Sequence, residues 1–129
     1  MRGSVSILVR WVVLIAFAGL VMYGSLRPIA PGLMPEVPHI DKVLHFVAYA
    51  VMTMLAFRAL WADDARPVSL VALAIGVGLV TAYGAGMEIF QGFTPDREFS
   101  WLDMIANGAG AALAAAVWEP LTERFRWMR

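Results

Sequence analysis

The chain has no cysteine, only two histidines, and charged residues make up just 16% of its 129 positions. Without cysteine there are no disulfides, no thiolate nucleophile and no thiolate metal site. His39 and His45 are too few for a typical zinc cage, and no zincin, nucleophile-elbow, P-loop or glycine-fingerprint motif is present. Ten basic residues balance ten acidic ones, so the basic excess that marks a nucleic-acid partner is missing. No cofactor and no nucleic acid are therefore expected. What the chain has in excess is apolar surface. Hydrophobic residues make up 60% of it, against about 45–50% for a soluble domain.

That excess falls into four segments, about 7–26, 43–61, 68–90 and 101–118, each near the roughly 20 residues a bilayer span needs. Arg2 and Arg10 precede the first segment, which contains Ala16-Phe17-Ala18, so a signal peptide has to be weighed. The apolar stretch before that triplet is only Trp11 to Ile15, shorter than the usual 7–15 residues or so. The run then continues to Leu26, which reads as an uncleaved span. Pro28, Pro31, Pro35 and Pro38 make the next connection an extended loop. A tight polar turn at 62–67 joins the second and third segments, and a loop at 92–100 joins the third and fourth. In the tail, 119–129, Leu121, Phe125 and Met128 share a helical face beside Arg124, Arg126 and Arg129, a pattern suited to a short interfacial helix or a solvated end.

These features predict an all-α integral membrane four-helix bundle forming one domain, 1–129. Orientation follows from Lys and Arg. The N-terminus, the 62–67 turn with Arg58, and the tail hold Arg2, Arg10, Arg58, Arg66, Arg124, Arg126 and Arg129. The other two loops hold Arg27, Lys42 and Arg97. The excess places both termini in the cytoplasm.

The few polar residues then converge. Asp41, Lys42 and His45 open the second span, Glu88 and Gln91 close the third, and Asp103 and Asn107 open the fourth, with Arg97 in the loop between. All fall on the extracytoplasmic side. Ionisable groups at membrane depth are costly and usually functional, so these eight are the candidate binding residues. Asp41 and His45 are four apart and share a helix face; Asp41 is equally an N-cap. Glu88 and Gln91 continue a stripe with Thr81 and Gly84, and a carboxyl in a span calls for a partner or a proton. Ser100-Trp101-Leu102-Asp103 matches a capping box, which explains Asp103 as well as a functional role does. Asn107 is open between a site and an interhelical bond. Arg97 offers a planar fork for phosphate or carboxylate, and equally reads as a solvated or headgroup-paired arginine. A second stripe in the third span, Ala74, Gly78, Ala82 and Gly86, suits close helix packing or docking of a partner membrane protein.

Three stretches carry a resemblance: Asp41-Lys42-Val43-Leu44-His45-Phe46; Glu88-Ile89-Phe90-Gln91 with Pro95 and Arg97; and Phe99 to Asn107. With Ser25-Leu26-Arg27-Pro28 they resemble the VanZ-like family, in order and in spacing. Gly108 departs from that pattern, where a threonine or a bulkier residue is usual. The resemblance implies a small four-span bacterial inner-membrane protein, from a family named after a member linked to teicoplanin resistance. Its family-like positions are the same eight residues. On this reading the protein is an accessory envelope protein that recognises a lipid headgroup or lipid-linked molecule. The alternatives are an intramembrane enzyme using Glu88, Asp103 and His45 as acid and base, with a divalent ion on Asp41, Glu88 and Asp103 as a variant, and a structural subunit of a membrane complex.

The orientation has a direct test. Single cysteines at Gly32 and Thr94 are expected to react with a membrane-impermeant thiol reagent in spheroplasts, while cysteines at Ala65 and Met128 stay unlabelled. The opposite pattern would place the polar cluster in the cytoplasm.

Overall fold

The computed structural model describes residues 2–27, 32, 37–61 and 67–124. The proline-rich loop falls mostly outside them, as do residues 62–66 and 125–129, including Ala65, Arg66, Phe125, Arg126, Met128 and Arg129. The described residues form four α-helices and no strand: α1 (Arg2–Leu26), α2 (Ile40–Trp61), α3 (Leu70–Gly92) and α4 (Trp101–Arg124). At about 1.5 Å per residue, even the shortest, with 22 residues, matches the roughly 30 Å hydrocarbon layer.

Local chemistry explains most of the boundaries. The Ser69 hydroxyl accepts the Ala72 N–H at 3.2 Å and caps α3, as Ser does when orphan amides need an acceptor. α2 begins earlier than the apolar run alone suggests. The His39 carbonyl accepts the Lys42 and Val43 N–H groups at 3.1 and 3.3 Å, so His39, with φ 61°, occupies the cap and Asp41 lies inside the first turn. The N-cap reading of Asp41 is thereby corrected. There its carboxylate meets the positive end of the helix dipole instead. α4 continues through Pro120 to Arg124, so the first residues of the expected separate tail belong to the fourth helix.

The neighbours run antiparallel, and burial shows which helices make the core. α2 and α4 share the most extensive contact; α3 packs against both, and α1 lies over α2 and α3. Of the described α1 side chains only Ser25 is buried. Tyr49, Met52, Ala56, Val80 and Ala111 form one core cluster, and Phe57, Leu73 and Trp118 form another towards the opposite end. Trp118 meets Phe57 edge-on at 5.4 Å between ring centroids, a favoured aromatic geometry. Outside this core the helices present Leu8, Ile15, Leu79 and Ile105, all exposed. Large apolar side chains facing outward along helices of this length are what a lipid solvent selects.

Ser6–Leu26, Ile40–Trp61 and Leu70–Gly92 are each long and apolar enough to cross a membrane. α4 is as long but less apolar, because its inner half is built of Ala and Gly and it carries Asp103, Asn107 and Glu119. The small residues have a packing reason. A Cβ on Gly110 would collide with the Phe46 carbonyl of α2, and one on Gly84 would lie 2.7 Å from the Tyr49 ring. Backbones approach closely only where side chains are absent. The expected small stripe of α3 does not serve this purpose within the chain. Ala74, Gly78 and Ala82 are exposed, and a Cβ on Gly78 or Gly86 would meet nothing within 4 Å.

Gly110→Ala is accordingly expected to destabilise the purified protein by about 1–3 kcal/mol, the usual cost of overpacking, and to lower its melting temperature in detergent. Gly78→Ala is expected to be neutral or slightly stabilising, since alanine favours helix.

Candidate functional site

The C-terminal ends of α1 and α3 and the N-terminal ends of α2 and α4 meet at one end of the bundle. Between them lies a cavity of about 680 Å³, lined by Val21, Leu44, Ala48 and Phe99 on its apolar side and by Asp41, Lys42, His45, Tyr49, Arg97 and Asp103 on its polar side. Glu88 and Asn107 lie behind His45 and Asp103, fully buried at 0% and 1% exposure.

Helix periodicity sets the partners. His45 projects from the second turn of α2 towards α4. Its Nδ1 donates to the Asn107 Oδ1 at 2.9 Å, since an amide oxygen can only accept. The other ring nitrogen, Nε2, faces the Asp103 Oδ2 at 3.7 Å. Glu88 Oε1 lies 3.9 Å from His45 Nδ1. One ligand atom each from His45, Glu88 and Asp103 lie within 4.8 Å of one another. Lys42 bridges outward, with Nζ 3.0 Å from Asp103 Oδ1 and also paired with the Asp41 carboxylate of its own helix. Tyr49, four residues after His45, stacks on the imidazole at a ring distance of 6.4 Å.

The capping box at α4 forms by half. Ser100 Oγ accepts the Asp103 N–H at 3.2 Å, but the Ser100 N–H goes to Glu88 Oε2 of α3, also at 3.2 Å. In the usual box the acid at the third helical position takes that amide. Here Glu88 takes it, and the Asp103 carboxylate is left for Lys42 and His45. One short motif therefore ties α3 to α4 and supplies a carboxylate to the chamber.

Two of the eight candidates do different work. Gln91 Nε2 donates to the Ser25 carbonyl at 2.8 Å. Arg97 donates to the same oxygen from Nε at 3.1 Å and from Nη2 at 2.8 Å, and to the Gly24 carbonyl at 3.2 Å. These carbonyls belong to the orphan acceptors at the C-terminus of α1, where a cation also meets the negative end of the dipole. The Arg97 fork thus holds α1 to the bundle while the residue also lines the cavity. Asp41, Lys42, His45, Glu88, Asp103 and Asn107 form the connected group, and Gln91 and Arg97 frame it.

Four buried polar atoms of this region make no hydrogen bond among the described residues: Glu88 Oε1, Asp103 Oδ1, Asn107 Nδ2 and Tyr49 Oη, although the Lys42 ammonium is ion-paired with Asp103 Oδ1 at 3.0 Å. Buried polar groups are nearly always satisfied, so their concentration here marks a place where something else bonds. Tyr49 escaped the sequence reading, although its spacing of four from His45 carried the signal. The Ser25 and Gly24 carbonyls escaped it because main-chain acceptors leave no mark in a sequence.

Residues 4–122 match the VanZ/LLP1 family. The chain belongs to that family. It is also similar to an uncharacterised protein of the fission yeast Schizosaccharomyces pombe, 32% identical over 106 residues, which cover 82% of this chain and 62% of the yeast protein. This chain thus accounts for under two thirds of that relative's length. No solved structure matches.

Ser100→Ala removes the cap while leaving Glu88 and Asp103 in place. It is expected to cost about 1 kcal/mol, read as a small shift of the thermal or denaturant midpoint in detergent.

Proposed function

We propose that this member of the VanZ/LLP1 family is an accessory protein of the bacterial inner membrane. Its four helices cross the bilayer with both termini in the cytoplasm, and its chamber opens at the outer face to receive the polar head of a lipid or lipid-linked molecule. The observation that carries this reading is the Tyr49 hydroxyl. Its residue is among those lining the cavity and is 1% exposed, and the hydroxyl has no hydrogen-bond partner among the described residues. A phenol kept at the wall of a chamber with one apolar and one polar side suits a ligand oxygen whose attached chain lies along Val21, Leu44 and Ala48. Lys42 at the same wall supports an anionic group such as phosphate, and Asp41 and Asp103 support hydroxyls or amines.

A similar sequence in a yeast favours a headgroup that eukaryotic and bacterial membranes share over a ligand peculiar to the bacterial wall. Drug resistance, implied by the family's name alone, is on this reading a by-product of binding such a head. A second reading has one specific support. His45 and Asp103 stand side by side at the chamber wall, so they could exchange a proton with a bound lipid-linked substrate.

Purified protein mixed with a total lipid extract separates these readings. Saturable enrichment of particular lipids without new products supports the binding site, and covalent product formation supports the enzyme. Tyr49→Phe removes one oxygen and is expected to weaken lipid binding about fivefold, equivalent to one hydrogen bond of roughly 1 kcal/mol. A bound-lipid profile identical to the bulk extract, unchanged by Tyr49→Phe, would overturn the proposal and favour a structural subunit.

A further inference from the structure

The chamber holds a second unanswered feature, behind its wall and independent of what enters it. In the neutral Nδ1–H tautomer of His45, Nε2 is an acceptor that faces Asp103 Oδ2, and Glu88 Oε1, another acceptor, lies 3.9 Å from Nδ1. With the His45 Nδ1 proton given to Asn107, the Asp103 oxygen that Nε2 faces at 3.7 Å has a donor there only if the imidazole takes up a second proton. Glu88 Oε1, on a side chain with 0% exposure, accepts nothing among the described residues. Lone pairs pointed at one another in a low-dielectric interior repel unless a proton or a cation lies among them. The charges agree. Asp41, Asp103 and Glu88 together face a single ammonium, Lys42, and its contacts are with the first two. With a neutral imidazole and three ionised carboxylates, Lys42 leaves a net charge of minus two in the group, with Arg97 acting on Glu88 through space.

We propose that His45, Glu88 and Asp103 bind one divalent cation. The group satisfies the geometric requirement, with one ligand atom from each residue inside 4.8 Å of the others. The surrounding bonds suit a coordination site. Asn107 fixes the imidazole tautomer so that Nε2 is the ligand, as outer partners of metal-bound histidines do. Ser100 N–H holds the other Glu88 oxygen, and Lys42 holds the other Asp103 oxygen. Each carboxylate thus presents one free oxygen and has its second tied, and His45 turns Nε2 to the Asp103 oxygen and Nδ1 to the Glu88 side. One nitrogen and two carboxylates form a borderline-hard set, suited to Mn2+ or Zn2+ better than to a thiolate-seeking ion. Asp41, the ligand that sequence spacing suggests, is engaged by Lys42, and His45 takes its place. Because Asp103 and His45 also line the cavity, a bound cation would keep open positions towards it, where a phosphate oxygen of the proposed headgroup could coordinate.

The test uses full-length protein in detergent, stripped with chelator and titrated with Mn2+, with free ion followed by electron paramagnetic resonance. Saturable binding of one Mn2+ per chain is expected, with a nitrogen modulation in the pulsed spectrum that reports imidazole ligation. Glu88→Gln and Asp103→Asn are each expected to weaken binding at least tenfold. His45→Gln is expected to abolish the nitrogen signal, and it keeps the test decisive if a carboxylate variant fails to fold. Ser69→Ala, far from the site, is expected to bind as the wild type does. Absence of saturable binding in folded wild type, or binding that Glu88→Gln and His45→Gln leave unchanged, would overturn the site. Lipid enrichment measured on the stripped protein is a separate readout. Lipid bound without Mn2+ binding would reject the cation site alone, and Mn2+ bound without lipid would reject the headgroup reading alone.

Discussion

The close approach of α2 and α4 at Gly110 is the contact on which the polar chamber depends. Because a Cβ there would strike the Phe46 carbonyl, the two backbones meet at a distance only glycine permits. His45, the residue before Phe46, is thereby brought within hydrogen-bond range of Asn107, one turn before Gly110. Gly84 does the same for α3, admitting the Tyr49 ring and the Asn107 amide where a side chain would otherwise stand. Packing and chemistry are therefore one design problem here. The small residues that let the helices touch also set the spacing of the polar atoms between them.

Around that contact the bundle divides its polar residues by task. One set closes main-chain valences: Gln91 and Arg97 on the last carbonyls of α1, Ser69 and Ser100 on helix N-termini, Tyr83 on the Ala18 carbonyl. In a bilayer these bonds replace water, which is absent from the hydrocarbon layer. The other set, Lys42, His45, Glu88, Asp103 and Tyr49, keeps valences open towards a common space. Where the first kind of bond is made by the second kind of residue, as with Glu88 and the Ser100 amide, a structural contact holds a reactive group in place.

Much of this was legible in the sequence because burial of a charge is expensive, and expense leaves a pattern. His45, Glu88, Asp103 and Asn107 stand out against apolar neighbours, and alternating helix direction puts them at one end. Two kinds of feature were harder to read. The bonds of Arg97 to two backbone carbonyls could not be foreseen, since every residue carries a carbonyl. The small stripes of α3 are ambiguous for a different reason. Gly76 and Gly84 bear the close contacts while Gly78 and Gly86 face outward, yet both pairs have the same spacing. Periodicity identifies a face but not the neighbour that covers it. Asp41 shifted role for a smaller reason: α2 starts at Ile40 on a left-handed His39, and caps move by a residue or two without any change in composition.

The composition of α4 also bears on how the protein comes to be in a membrane at all. A helix of alanine and glycine that bears Asp103 and Asn107 near one end partitions poorly into lipid on its own, since charged residues oppose insertion and small ones favour it little. Its polar atoms become tolerable only when Lys42, His45 and Glu88 are already beside them. α4 is the last of the four to be synthesised, so its partners are in place when it emerges. Chain order and polarity are thus matched. The three self-sufficient segments come first and build a lipid-shielded slot, and the segment that needs the slot comes last.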